Sequence, residues 1–174
     1  MKITLFWLAG TGTSTVGKLL AQKLSYEFHS TGNIMREWAR EAWLSIYDFE
    51  DQIAKKDESF DIQLDQRVHK FWKTHDNFVF ESRLAWHFIE DSYKIALMCD
   101  DDTRYARIHE REWWELWDTI EKTLKREQEL ITRYSEIYSE IVFPPSWEVF
   151  DLVIDSWSSS PDIIVDRIIK EIKR

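Results

Sequence analysis

The chain has 174 residues, 44% hydrophobic and 32% charged, with a formal charge of −9. That suits one folded domain with its own core and excludes a disordered chain or a second complete domain. The acidic balance sets nucleic acid and anionic membranes aside as partners, and no segment approaches the roughly 20 apolar residues needed to span a bilayer.

Residues 2 to 8 form a short apolar run with β-branched and aromatic members, which predicts a buried parallel strand. The run is too short for a signal peptide and lacks a small-x-small cleavage pattern. Gly10-Thr11-Gly12-Thr13-Ser14-Thr15 breaks it, and from Val16 the spacing of Val16, Leu19, Leu20 and Leu24 predicts a helix. Three of the chain's four glycines, Gly10, Gly12 and Gly17, fall here, as expected where the backbone requires them. Tyr26 to His29 predicts a second strand. Gly32 to about Lys73 carries helical patterning, interrupted near Asp57-Glu58-Ser59, and predicts an insertion of two or three helices. Phe78 to Phe80, Lys94 to Met98 and Asp151 to Asp155 predict three more strands, and Asp101 to Tyr138 a long charged helical stretch. A lone cysteine, Cys99, follows the fourth strand and reads as a buried thiol in a reducing, cytoplasmic setting. Ser156 to Ser160 is a loop, and Pro161 to Lys173 a closing amphipathic helix with proline in its first turn. Five short strands separated by helices imply a single three-layer α/β/α domain around a five-stranded parallel sheet.

A strand, a glycine turn and a helix together present backbone N–H groups to a phosphate at a helix N-terminus, although such a turn can also be a mere tight connection. The pattern Gly12-x-x-x-x-Gly17-Lys18 fails as a phosphate loop, because Leu19 stands where a Mg²⁺-binding hydroxyl is required. Lys18 also lies about 7 Å along the helix at 1.5 Å per residue. In the register set by the strand end the loop is Trp7 to Ser14. Ser14 is then the Mg²⁺ hydroxyl, Thr13 stands for the usual lysine and Trp7 for the first glycine.

Further segments follow in order: Ser30-Thr31-Gly32-Asn33-Ile34-Met35-Arg36-Glu37, Asp61-Ile62-Gln63-Leu64-Asp65, Phe80-Glu81-Ser82-Arg83-Leu84, Arg107-Ile108-His109-Glu110-Arg111-Glu112, Lys125-Arg126-Glu127 with Arg133-Tyr134, and Asp151-Leu152-Val153-Ile154-Asp155. With Gly10 to Val16 they make the chain resemble, from Met1 to its C-terminus, the archaeal-type branch of the cytidylate kinases in the P-loop nucleoside monophosphate kinase family. That branch is similar in carrying threonine where other phosphate loops have lysine.

The resemblance implies transfer of the ATP γ-phosphoryl group to CMP or dCMP with Mg²⁺, in a cytoplasmic monomer. It also implies an acceptor-binding insertion at about 30 to 75 and a small lid around 107 to 133. Gly10, Thr11, Gly12, Thr13, Ser14, Thr15 and Arg107 would hold ATP, and Ser14 and Glu81 the metal. Ser30, Gly32, Arg36, Asp61 and Asp65 would bind the acceptor together with Arg83. A carboxylate accepting a hydrogen bond from the cytosine amino group would favour cytosine over uracil. Arg83 stands at the carboxyl edge of a strand and would act on the transferred group with Arg111, Arg126 and Arg133.

Glu81 could instead pair with Arg83, the lid arginines could form a solvated face, and Trp113, Trp114 and Trp117 read as packing. The five histidines show no metal spacing. The family's Glu-Gly-Arg-Leu turn is here Glu81-Ser82-Arg83-Leu84. This change and Trp7 keep two alternatives open: a kinase of the same fold for another small acceptor, or a non-catalytic descendant that binds nucleotide or a protein partner. In the second, the Trp7 indole would occupy the β-phosphate's place rather than turn into the core.

Overall fold

Side chains alternate across the short apolar strands, and this alternation sets the layers. A computed structural model describes residues 1–6, 8–49, 51–52 and 59–174, apart from the side chains of Tyr47, Ser59, Phe60, Asp61, Asp65 and Arg67. Its strands are β1 (Lys2–Phe6), β2 (Glu27–Ser30), β3 (Phe78–Glu81), β4 (Tyr93–Met98) and β5 (Leu152–Asp155). They form one parallel sheet in the order β2-β3-β1-β4-β5. The helices are α1 (Thr13–Leu24), α2 (Thr31–Glu41), α3 (Ile46–Phe49), α4 (Ser59–Trp72), α5 (Ala85–Phe88), α6 (Asp101–Glu112), α7 (Leu116–Ile137) and α8 (Pro161–Ile172). The three-layer α/β/α architecture is the one expected from the alternation of strands and helices.

On one face Ile3, Leu5, Val79, Ile95, Leu97 and Ile154 pack against Val16 and Leu20 of α1 and Ile164, Val165 and Ile168 of α8. On the other, Phe6 and Ala96 meet Leu130 and Tyr134 of α7, and Phe78 and Phe80 meet Val68 of α4 and Ala85 of α5. Each valine, leucine, isoleucine or phenylalanine removed from water in this way contributes about 1.5–3 kcal/mol. Among the described residues no helix is long and apolar enough to cross a membrane.

Some boundaries differ from expectation for physical reasons. Helix α1 starts at Thr13, three residues before its apolar periodicity, because its first turn serves polar contacts at the sheet edge. The charged stretch after β4 is two helices, with Trp113 ending α6 in the left-handed region at φ 60°. The short α5 and a 3₁₀ turn at Trp147–Val149 were too brief to show a period. Trp7 lies outside the described residues, and with it the question of which way its indole turns.

Gly17 does not share the reason that governs Gly10 and Gly12. It sits inside α1, and a Cβ there would lie 2.5 Å from Phe28 Cε2 and 2.8 Å from Leu5 Cδ1. Gly17→Ala should therefore lower stability by about 1–2 kcal/mol in urea unfolding, overpacking outweighing the gain of about 1 kcal/mol in helix propensity. A stabilised variant would show that α1 can lift off the sheet at no cost.

Candidate active site

Because all five strands run parallel, their carboxyl ends gather on one edge, where open α/β sheets bind ligands. Leaving β1, the loop Gly10–Thr15 turns into α1 with φ 86° at Gly10 and 88° at Gly12, and Val16 N–H donates to the Gly12 carbonyl at 3.0 Å. At Gly10 a Cβ would stand 2.6 Å from the Arg104 carbonyl oxygen, whereas at Gly12 its nearest neighbour is Arg107 Nη1 at 3.8 Å. Buried Thr11 donates its hydroxyl to the Leu8 carbonyl at 3.0 Å. Its own carbonyl lies 2.8 Å from Oγ of Ser156, a buried residue just past β5 that also lies 2.9 Å from the Met98 carbonyl of β4. Arg107 closes the circle. Its Nη1 is 3.4 Å from the carbonyls of both Gly10 and Thr11, and its Nη2 donates to the Ser156 carbonyl at 2.9 Å.

Glu81, the last residue of β3, gathers three hydroxyls. Thr13 donates to Oε1 at 2.6 Å, and Ser14 and Ser30 each donate to Oε2 at 2.7 Å. Pairing in register across β2 and β3 sets Ser30 beside Glu81. The Ser30 oxygen also caps α2, accepting from Asn33 N–H at 3.2 Å. The carboxylate is thus engaged by hydroxyls of the loop and of α2.

Among the described residues no group of three or more histidine, cysteine, aspartate or glutamate side chains could hold a metal. One carboxylate with neighbouring hydroxyls is nevertheless a hard-oxygen set. It fits Mg²⁺ delivered with a polyphosphate, which brings further oxygens of its own.

A cleft of about 920 Å³ opens over this edge, and all six expected arginines line it: Arg36 from α2, Arg83 after β3, Arg107 and Arg111 from α6, and Arg126 and Arg133 from α7. Arg36 donates to Asn33 Oδ1 at 2.5 Å. Partial desolvation against the cleft wall holds its guanidinium below the usual value, Glu81 opposing and the cations Arg111 and Arg126 adding to the shift. Gly32 and Thr15 line the same cleft. Asp61 and Asp65 fall one turn apart on α4, with their side chains outside the described set; Leu64 between them reaches the cleft.

Three expectations need correction. Trp113 and Trp117 are 90% and 74% exposed, because the α6–α7 turn projects beyond the core; Trp114 alone has a cover, the ammonium of Lys122 at 4.0 Å from its ring centroid. Cys99 is only half-buried. Its Sγ accepts from Arg107 Nη1 at 3.6 Å, and burial pushes the thiol up while Arg107 opposes. Ser156 is not merely part of a connecting loop. Sequence reasoning missed it, and also Arg104, whose only signal is its place one turn before Arg107.

Residues 3–136 match the AAA domain family. The chain is 34% identical over 172 residues to the cytidylate kinase of Methanococcoides burtonii, covering 99% of this chain and 97% of that one. It is 33% identical over 173 residues to the cytidylate kinase of Methanobrevibacter smithii, covering 99% of each. Among solved structures, an uncharacterized protein from Eubacterium ventriosum superposes with a TM-score of 0.73 at 22% identity, over 99% of this chain and 98% of that one.

The two loop glycines should respond differently to a methyl group. Gly12→Ala meets only an ordinary contact with Arg107 and should cost about 1–2 kcal/mol, from its left-handed backbone alone. Gly10→Ala adds a collision with the α6 backbone and should cost at least about 3 kcal/mol. Equal losses in thermal or urea unfolding would mean that the contact between the loop and α6 carries no energy.

Proposed function

Because the chain belongs to the cytidylate kinase family, we propose that it transfers the γ-phosphoryl group of ATP to CMP or dCMP in a Mg²⁺-dependent reaction. On this reading it is a single kinase domain, with an acceptor-binding insertion at about 30–75 and a mobile lid at about 107–133.

The observation that carries the proposal is the convergence of six arginines from four separate chain segments on the cleft above the Gly10–Thr15 loop. In a chain of net charge −9 that convergence selects a polyanion.

Phosphoryl transfer asks the protein for positioning and charge neutralisation more than for covalent chemistry. The left-handed turns at Gly10 and Gly12 let successive N–H groups face the donor phosphates at the start of α1. Thr13 is held by Glu81 and brings no charge, so the cations for the donor come from α6 and α7. Arg36 on α2 and Arg83, just past β3, would hold the acceptor phosphate. Ser14 and Glu81 would hold Mg²⁺, which neutralises β- and γ-phosphate charge when bound. Asp61 or Asp65 would accept from the cytosine amino group, where uracil presents a carbonyl.

ADP release, followed by a coupled assay over CMP, dCMP, UMP and AMP, should be fastest with the cytosine acceptors. Turnover that is equal for every acceptor, or none above background at millimolar ATP, would overturn the assignment. Arg83→Ala should lower kcat/KM by at least about 100-fold, on the order of 3 kcal/mol, as expected for a charged contact at the reacting group. A loss below threefold in a folded variant would reduce Arg83 to surface pairing.

A further inference from the structure

Among the described residues the largest fully buried side chain is a cation. Arg104 lies on α6 and is 1% exposed. Its Nη1 donates to Glu127 Oε1 of α7 at 2.9 Å and its Nη2 to Oε2 at 3.2 Å, so the two side chains meet in a two-pronged, planar bond. Asp101 Oδ1 stands 3.2 Å from Nε, and Glu127 is itself 13% exposed. Burial is the largest influence and works against the charge on Arg104, but the bond to Glu127, the Glu127 and Asp101 charges and Tyr105 together outweigh it, leaving the guanidinium pKa raised.

A buried ion pair is a poor source of stability, because well-packed apolar residues often do as well or better, and its place in the fold therefore calls for another explanation. Three neighbours supply one. The Arg104 carbonyl is the surface against which Gly10 packs, so close that a Cβ on Gly10 would stand 2.6 Å from its oxygen. Arg107, one turn further along α6, reaches the Gly10 and Thr11 carbonyls. Arg126, next to Glu127 in α7, and Arg133, two turns beyond, line the cleft.

On the phosphoryl-transfer reading above, we infer that Arg104 and Glu127 are positioning residues. Their bond sets the register of α6 against α7, so that Arg107 and Arg111 on one helix and Arg126 and Arg133 on the other address the same phosphates, and it presses α6 against the phosphate loop. Neither residue touches substrate. This bidentate contact spans the two helices below the turn at Trp113 and holds them while that turn projects outward.

The pair variant Arg104→Met/Glu127→Leu separates this role from a structural one, because it keeps the volume buried and removes both charges together. It should melt close to the wild type. Its ATP–Mg²⁺ dissociation constant by calorimetry should rise by about tenfold and its kcat fall by about 30-fold or more, with KM for CMP within about threefold. A stable pair variant whose ATP affinity and kcat both stay within about threefold of wild type would overturn the inference.

Should the pair variant fail to fold, Glu127→Asp keeps both charges and shortens one arm. It is expected to lower kcat while KM for CMP holds, and an unchanged kcat would count against the positioning role. If the wild type turns over no acceptor at all, the kinase reading falls, and the ATP affinities of the two variants still decide whether the pair positions the loop.

Discussion

A carboxylate accepting three hydroxyl hydrogens within 2.7 Å ties together parts of the chain that are far apart in sequence. Glu81 holds Thr13 and Ser14 of the phosphate loop and Ser30 at the head of α2, and each bond is short because its acceptor is charged. Through these contacts the loop, the third strand and the helical segment after β2 share one anchor. The parallel pairing of Ser30 with Glu81 is what makes this possible, since an antiparallel strand would carry its last residue to the opposite edge. The position of Arg36 depends on the same anchor, because α2 begins at the serine that Glu81 grips.

Charge is distributed so that the acidic surface and the basic cleft play different parts. A net charge of −9 repels anions at long range, while the arginines around the cleft present their field only to what enters. Cations so close together disfavour one another, and Arg111 and Arg126 add in this way to the lowering of the Arg36 pKa that burial chiefly causes. Backbone carbonyls blunt part of the repulsion at Arg107, and Glu112 does so at Arg111. An incoming polyphosphate would do more than either, because it brings several oxygens to the point where the guanidinium groups converge.

Much of the sheet was legible because a parallel strand buried on both faces reads as an unbroken apolar run, as Phe78 to Phe80 and Ile95 to Met98 do. The glycine turn and the cleft arginines were legible from residue type and spacing, together with the family resemblance of the segments that carry them. Thr13 to Thr15 escaped the helix period because the first turn of α1 faces the Glu81 carboxylate and the cleft rather than the core. Ser156 was hidden in a loop with three further serines, Ser158, Ser159 and Ser160, and the placing of β5 beside β4 brings its hydroxyl to the Thr11 carbonyl. Arg104 resembled its solvated neighbours on a charged helix. What distinguishes it is a partner 23 positions away on the next helix, and a one-dimensional pattern cannot reveal that partner.

The bond between Ser156 and Thr11 also has a bearing on how the protein is made. The phosphate loop belongs to the first strand–helix unit, and its carbonyl partner follows the last strand, 145 positions later. A chain emerging from its N-terminus therefore completes the loop's backbone early but leaves the Thr11 carbonyl, and Arg107's contact at Ser156, without their closing partner until β5 has docked. The central strand β1 is likewise flanked by β3 and β4, both of which arrive after it. Assembly must wait for distant segments, which slows folding in chains whose contacts are long-range. Ligand competence is then a property of the finished chain alone, and a nascent fragment holding every residue of the phosphate loop would meet nucleotide with that loop still unclasped.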